Sequence, residues 1–173
     1  MNIYFVLNIP APFSDRVMGI RRTQKDNFFT SLPVELTLAG STGVGILDAM
    51  QDLAEAYKHI DAIAADTAPI QTAFGPVVRF PGTDIYALTF EDDAPFKKLH
   101  QRIVQSGIKF HESPHAFKPH CTLRSGAPIS SAEERRLMAA TVAGRFTLEE
   151  ISICRLDRPP VTLLHSAPLA GKR

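Results

Sequence analysis

The sequence predicts an α+β fold with two lobes of antiparallel sheet, helices packed outside the sheets, and a central cleft between the lobes. A chain of 173 residues, 45% of them hydrophobic, has the size and composition of one globular domain, residues 1–173. Short apolar runs alternate with amphipathic helices. The order helix, Pro-led strand, helix, strand, strand occurs twice, over roughly residues 11–90 and 94–166, which predicts an internal repeat and pseudo-symmetric packing.

The first half is predicted to contain a strand at 1–9, a helix at 11–25, a strand at 34–38, a helix at 46–60 and strands at 70–79 and 84–90. An apolar run closed by Pro10 indicates the first strand, and Pro33 favours extended backbone before the second. Apolar residues at helical spacing mark the helices: Phe13, Val17 and Ile20 in one, and Ile46, Leu47, Met50, Leu53, Ala54, Tyr57 and Ile60 in the other. The turn-forming pair Pro81–Gly82 separates the last two strands.

The second half is predicted to repeat this order, with a helix through Phe96, Leu99 and Ile103, a strand at 117–123, a helix from Ser131, and strands at 146–154 and 161–165. Gly107 is typical of a helix end, and the spacing of Ser131 and Glu134 is that of a capping box. Residues 167–173 are expected to form a loose tail.

Charge and composition exclude several classes of partner. Nineteen Lys and Arg against eighteen Asp and Glu leave a net charge of +1, so the basic surface that wraps duplex DNA is not expected. No run approaches the roughly 18 apolar residues that cross a bilayer, so no membrane partner is expected. Two cysteines, Cys121 and Cys154, at no metal-like spacing suit a reducing cytoplasm without disulfides. The oligomeric state stays open.

The segment 117–124 carries the strongest candidate chemistry. Period-two alternation puts His120 and Thr122 on one face of a strand. An imidazole that titrates near pH 7 then stands beside a hydroxyl that can donate to an oxyanion. The alternative is an ordinary half-exposed strand with polar residues facing solvent. Cys121, on the other face, is better explained as a packed small residue than as a nucleophile.

Two cations are expected on the same strand face, and a second motif in the first half of the chain matches it. Lys118 and Arg124 lie two residues out on either side, which makes a phosphate-binding row. In the first half, Glu35 and Thr37 occupy the matching face of the strand at 34–38. A pseudo-twofold arrangement of the halves would bring two proton-transfer groups and two hydroxyls to opposite walls of one cleft.

At these motifs the sequence resembles the two-histidine (2H) phosphoesterase superfamily, particularly the bacterial proteins called 2′–5′ RNA ligase-like, which carry two His-x-Thr or His-x-Ser motifs on strands. The resemblance covers nearly the whole chain: the N-terminal strand, the order of elements, the segment Phe80–Thr83 before a hydrophobic strand, and the segment Pro119–Arg124. The second motif matches through His120, whereas Glu35 stands where the family has its first histidine.

The resemblance implies a reaction that needs neither a metal nor a cofactor. In that family the two histidines act as general base and general acid on a cyclic phosphate or phosphodiester, and the hydroxyls hold the non-bridging oxygens. The implied substrate is a 2′,3′-cyclic phosphate or a 2′–5′ phosphodiester at a nucleotide or RNA end. By position, the implied catalytic residues are His120, Thr122, Glu35 and Thr37, with Lys118 and Arg124 in substrate binding.

Glu35 fits such a site best as a neutral acid. Two like charges about 4 Å apart repel by on the order of 4 kcal/mol at an effective dielectric near 20, so an ionised Glu35 would oppose phosphate binding. Desolvation and an adjacent anion raise a carboxyl pKa. In its protonated state Glu35 would be the acid and His120 the base.

Two other functions stay open at this point. One is a catalytically inactive relative that binds a nucleotide or RNA end through Thr37, Thr122, His120 and nearby cations. The other is a metal-assisted hydrolase with Glu35 and His120 as ligands, which lacks an evident third ligand. Glu35 is the residue that separates enzyme from binder.

Two further motifs have simpler explanations. The segment His111–His115 matches the zinc-protease pattern His-Glu-x-x-His, but that pattern needs a helix and Pro114 interrupts it, so a loop is expected. Arg21, Arg22 and Lys25 form a short basic cluster on the first helix. Such a cluster is usually a solvated face, although in this fold it could border an RNA groove.

Overall fold

The computed structural model describes residues 2–172, whose backbone forms eight strands and five helices. In chain order they are β1 (Ile3–Asn8), α1 (Phe13–Thr23), α2 (Asn27–Thr30), β2 (Glu35–Ala39), α3 (Leu53–Ala65), β3 (Ile70–Arg79), β4 (Tyr86–Phe90), α4 (Ala94–Val104), β5 (Cys121–Arg124), α5 (Ser131–Met138), β6 (Arg145–Leu148), β7 (Glu150–Arg155) and β8 (Thr162–Pro168). Among the residues described, no helix has the length and apolar character that crossing a bilayer requires.

The strands form two antiparallel sheets, and each sheet takes strands from both halves of the chain. One sheet has the order β2-β1-β7-β8 and the other has the order β5-β4-β3-β6. The strands that carry the candidate motifs, β2 and β5, are therefore edge strands, and they contact each other. Two antiparallel sheets with helices are the α+β architecture that the sequence predicts, so the fold class is confirmed.

Alternation along the strands places one face of each sheet against the helices. In β1 Phe5 is fully buried in the core, and in β2 Leu36 and Leu38 are buried with it. Helices α3 and α4 pack on this first sheet, while α1 contacts β5 and α5 contacts β3 in the second. Fully burying one such side chain stabilises the fold by about 1.5–3 kcal/mol. Because side chains alternate with period two, Glu35 and Thr37 lie on the opposite face of β2, away from this core.

Helix α3 begins later than its apolar spacing predicts. The side chain of Asp52 caps it by accepting a hydrogen bond of 2.9 Å from a backbone N–H of the first turn. Upstream, Leu47 is buried and pairs with Phe110 in an isolated β-bridge. The predicted helix at 46–60 is therefore wrong before α3, since a long-range pairing competes with the helical spacing there.

Two other predicted boundaries need correction. The predicted strand at 146–154 is two strands, because the chain passes from the second sheet to the first between β6 and β7. The capping box of α5 is formed by Ser130 and Glu133, one residue before the predicted pair. The short helix α2 has no apolar spacing to predict it, and Asp26 caps it at 3.2 Å.

The expected loose tail at 167–173 is wrong for the part of it that the structure describes. Strand β8 continues to Pro168. Beyond it, Ala170 and Gly171 donate hydrogen bonds of 3.0 Å to the carbonyl oxygens of Ala64 and Thr67, at the end of α3. These backbone contacts hold the end of the chain against the first sheet and its helix.

Candidate active site

Four of the predicted site residues line one small pocket between the edge strands β2 and β5. Glu35 and Thr37 come from β2, Thr122 comes from β5, and His120 immediately precedes β5. The pocket has a volume of about 40 Å³. The remaining lining residues are Arg21, Phe29, Leu32 and Pro33. Two proton-transfer groups and two hydroxyls therefore surround a single space.

Strand β5 explains why Thr122 belongs to this group and Arg124 does not. Cys121 is buried in the core, so the next residue, Thr122, lies on the pocket side. The pairing with β4 is irregular between Thr122 and Arg124, which breaks the alternation. Arg124 is 5% exposed, and its guanidinium donates to the Ala127 carbonyl oxygen at 2.7 Å. Arg124 therefore lines neither this pocket nor the groove beside it, and its role in substrate binding stays a prediction.

A larger groove of about 840 Å³ adjoins the pocket and shares three residues with it: Phe29, His120 and Thr122. Phe80 and Phe117 form aromatic parts of its wall. His100 stacks on Phe117 with ring centroids 4.0 Å apart, which fixes this ring in place. The exposed Lys118 also lines the groove, with its Nζ 5.2 Å from the centroid of Phe80. Lys118, one of the two cations predicted for the site, thus lines the larger groove and not the small pocket.

His120 has one ring nitrogen fixed and the other available. Nδ1 lies 2.7 Å from the carbonyl oxygen of Lys118, so it carries the hydrogen of a neutral ring and Nε2 keeps a free lone pair. The edge of the His120 ring meets Phe80 with centroids 4.9 Å apart. Burial lowers the pKa of His120 from its usual value, although the hydrogen bond to the backbone opposes this change. Near pH 7 the imidazole is therefore a neutral base.

Glu35 has a strongly shifted carboxyl. Burial raises its pKa to about 7, while a hydrogen bond from the Tyr4 hydroxyl and the charge of Arg21 act in the opposite direction. Its Oε2 is buried and finds no hydrogen-bond partner among residues 2–172. Near neutral pH the side chain is present in both protonation states, so it can serve as a proton donor.

Arg21 is a buried member of the pocket, and the sequence leaves it undecided between a solvated face and a groove border. It is 2% exposed, whereas Arg22 is exposed. Its Nε donates to the Thr122 carbonyl at 3.0 Å, and its Nη1 donates to three carbonyls within residues 29–33 at 2.9 to 3.1 Å. The guanidinium thus joins α1 to β5 and to the segment before β2. It lies one helical turn after the buried Val17, and this spacing is the sequence signal that could have identified it.

The structure also places two further sequence candidates and bears on a metal site. The segment His111–His115 is not helical, as expected, and His115 lines the larger groove. Burial raises the pKa of the Cys121 thiol to about 11, which suits a packed side chain and not a nucleophile. Within residues 2–172 there is no cluster of three or more His, Cys, Asp or Glu side chains that could hold a metal ion.

Comparison with known proteins adds a family and a fold. The model of the 2'-5' RNA ligase superfamily matches residues 10–160. The structure of TT0787 from Thermus thermophilus superposes with a TM-score of 0.75 at 18% identity and covers 100% of both chains. E. coli LigT complexed with 3'-AMP gives 0.62 at 14% identity over 97% of both chains, and LigT complexed with phosphate gives 0.60 at 13% over 96% of both. A comparison with curated protein sequences gives no significant match.

Proposed function

The chain belongs to the 2'-5' RNA ligase superfamily, and from this premise we propose that it is a phosphoesterase for 2′,3′-cyclic phosphates or 2′–5′ phosphodiesters at nucleotide or RNA ends. The observation that carries the proposal is the shared pocket of Glu35, Thr37, His120 and Thr122. A base, an acid and two hydroxyl donors around one space are the groups that metal-free phosphodiester cleavage needs.

The two proton transfers are assigned to His120 and Glu35. The free Nε2 of His120 takes a proton from the attacking water, whose oxygen forms the new bond to phosphorus. Protonated Glu35 gives its proton to the 2′ or 3′ oxygen as the bond from that oxygen to phosphorus breaks. Each transfer contributes typically about 10²–10⁴-fold to the rate.

The two threonines hold the phosphate between these groups. Thr37 and Thr122 donate hydrogen bonds to the non-bridging oxygens, on which charge builds up during attack. A hydrogen bond to a charged group contributes roughly 1.5–3 kcal/mol, and the two walls of the pocket supply one such donor each.

The larger groove supports a nucleotide over a small phosphate ester as the substrate. Aromatic rings such as Phe80 and Phe117 can stack on bases, which is worth about 1–3 kcal/mol per base. Lys118 supplies positive charge for a further phosphate, whereas Lys97 is paired with Asp93 at 3.2 Å in the same groove. The structures of E. coli LigT with 3'-AMP and with phosphate agree with this substrate class, since a protein of the same fold binds both.

The replacement of the family's first histidine by Glu35 favours a second candidate. A protein that binds nucleotide ends without turning them over would keep the threonines and the groove but lack the acid. The raised pKa of Glu35 supports the enzyme instead, because an ordinary carboxyl would be ionised at pH 7.

The test is hydrolysis of nucleoside 2′,3′-cyclic phosphates and 2′–5′ dinucleotides, with product positions assigned by chromatography. His120→Asn should lower kcat by about 10²-fold or more. His59→Asn is the matched control, because His59 is exposed on α3 and should be neutral. Binding of the nucleotide without turnover would favour the second candidate, and full activity in His120→Asn would contradict the assigned base.

A further inference from the structure

Arg21 is a buried cation whose charge is not directly paired. Its four hydrogen bonds go to neutral carbonyl oxygens and use Nε and Nη1, so none of them involves Nη2. No ion pair between Arg21 and Glu35 occurs within 4.0 Å in the part of the chain that the structure describes, although both line the small pocket. A buried guanidinium stays ionised, and a buried charge without a partner is costly.

The carboxyl of Glu35 also has an oxygen whose hydrogen bonding is unsatisfied. Its Oε2 is buried and without a hydrogen-bond partner among residues 2–172. As an ionised group it leaves one charged oxygen unsatisfied, and as a neutral acid it leaves a hydroxyl donor without an acceptor. A phosphate oxygen in the pocket would accept from that hydroxyl, but it would repel the ionised form.

The groups that act on Glu35 come from four elements around it. They are Tyr4 on β1, Arg21 on α1, Cys121 on β5 and Cys154 on β7. Burial raises the pKa of the Tyr4 hydroxyl and of both thiols, those of Cys121 and Cys154 to about 11 and about 12, so all three are neutral at pH 7. His120, across the pocket, is neutral as well because burial lowers its pKa. Among these groups, the charge balance near pH 7 therefore depends on Arg21 and Glu35.

We propose that Glu35 is the resident counter-charge of Arg21 and that substrate phosphate replaces it, so that binding a singly charged phosphodiester is accompanied by uptake of a proton. This inference rests on the proposed function, because it concerns the same pocket. Without ligand the ionised carboxylate balances the guanidinium. With ligand the phosphodiester carries the negative charge and Glu35 becomes neutral, which leaves the pocket balanced and prepares the acid for its role.

Glu35 and Arg21 then make the affinity for a charged ligand depend on pH. Binding is favoured below the range in which Glu35 ionises, and above it each bound phosphodiester must bring a proton with it. By linkage, the affinity of the native protein should fall by up to about tenfold for each unit of pH above that range.

The experiment is calorimetry with 2′-deoxyadenosine 3′-(methyl phosphate). This probe carries one negative charge throughout the range from about pH 6 to 9, and without a 2′-hydroxyl it cannot cyclise. Titration at about pH 8 in two buffers of different ionisation enthalpy measures proton uptake. The native protein should take up about one proton per probe, and Glu35→Gln should take up none and bind with an affinity that does not change with pH.

His120→Asn separates the two titratable groups of the pocket. It should retain the proton uptake, because the proton goes to Glu35. Uptake that persists in Glu35→Gln and disappears in His120→Asn would assign the proton to the imidazole and overturn the inference.

Failure of the inference and failure of the proposed function give different results. An affinity of the native protein that is independent of pH, with hydrolysis of cyclic phosphates intact, would overturn the exchange and leave the phosphoesterase standing. No binding by the native protein or by Glu35→Gln at any pH, together with no turnover, would overturn both. Tighter binding by Glu35→Gln than by the native protein above pH 8 is the result that the exchange requires.

Discussion

Glu35 is a carboxyl whose surroundings change its acid strength enough to matter for chemistry at neutral pH. Burial dominates and raises its pKa to about 7, although Tyr4 and Arg21 stabilise the ionised form. Across the pocket, burial shifts the pKa of His120 downward. The two shifts reverse the usual order, because the pKa of the carboxyl now lies above that of the imidazole, so both groups are in a useful protonation state near pH 7.

A kinetic prediction follows for this carboxyl and its neighbour Tyr4. A general acid must be protonated, and kcat/KM reports the ionisation of the free protein, so kcat/KM should fall as pH rises through about 7. Glu35→Gln should lower kcat by about 10²–10⁴-fold, because the amide keeps the shape but has no proton to give. Tyr4→Phe removes a hydrogen bond that lowers the pKa of Glu35, so it should move the alkaline limb of the profile to higher pH.

The measurement is a set of pH–rate profiles for a nucleoside 2′,3′-cyclic phosphate. Glu35→His restores the family pair and should keep activity. An alkaline limb that stays in place in Tyr4→Phe would show that Glu35 does not set it. Strong activity that survives Glu35→Gln would leave His120 acting with another group.

At the scale of elements, hydrophobic periodicity predicts which side chains of a helix or strand are buried where the local sequence determines the structure. It fails where the chain pairs with a segment that is distant in sequence. Alternation correctly separates Glu35 and Thr37 from the core of β2, and Thr122 from the core of β5. Alternation is interrupted next to Arg124, where the pairing of β5 with β4 is irregular, and the helical spacing fails before α3, where Leu47 pairs with Phe110. Neither pairing partner can be identified from the local pattern.

The burial of Arg21 cannot be predicted from the local sequence for a related reason. Charged residues on a helix usually face water, and the four carbonyls that accept from this guanidinium belong to β5 and the segment before β2. Its burial depends on how those elements are packed. The helical spacing from Val17 alone indicates the buried face.

The hydrogen bonds by which Arg21 joins these elements predict a large effect on stability. Arg21→Lys keeps the charge but cannot reach four carbonyls with one nitrogen, so buried acceptors lose their partners. We expect a loss of about 3 kcal/mol or more in the free energy of unfolding, measured by urea denaturation. Arg22→Lys, one residue away on the exposed side of α1, should stay within about 0.5 kcal/mol. Equal effects of the two substitutions would mean that Arg21 does not join the elements.

At the scale of the molecule, the two sheets are built from interleaved halves of the chain. Strand β1 pairs with β7, β3 with β6, and β4 with β5, so three strand pairs join the first half to the second. The predicted repeat over 11–90 and 94–166 stays a prediction about sequence, but neither repeat completes a sheet by itself. The pocket depends on the same arrangement, since β2 and β5 come from different halves.

The last prediction concerns this interleaving. A protease site inserted between residues 91 and 92, in the connection between β4 and α4, allows the folded chain to be cut into two pieces. The piece 1–91 lacks β7, β6 and β5, which pair with β1, β3 and β4, and the piece 92–173 leaves β5 and β6 without partners. Because exposed edges and half-covered cores cannot offset the entropy of ordering, neither piece should unfold cooperatively when refolded alone. Mixing the pieces should restore the native circular dichroism spectrum and phosphate binding. The uncut insertion variant is the control, and a cooperative transition in either isolated piece would show that a half of this chain is a folding unit.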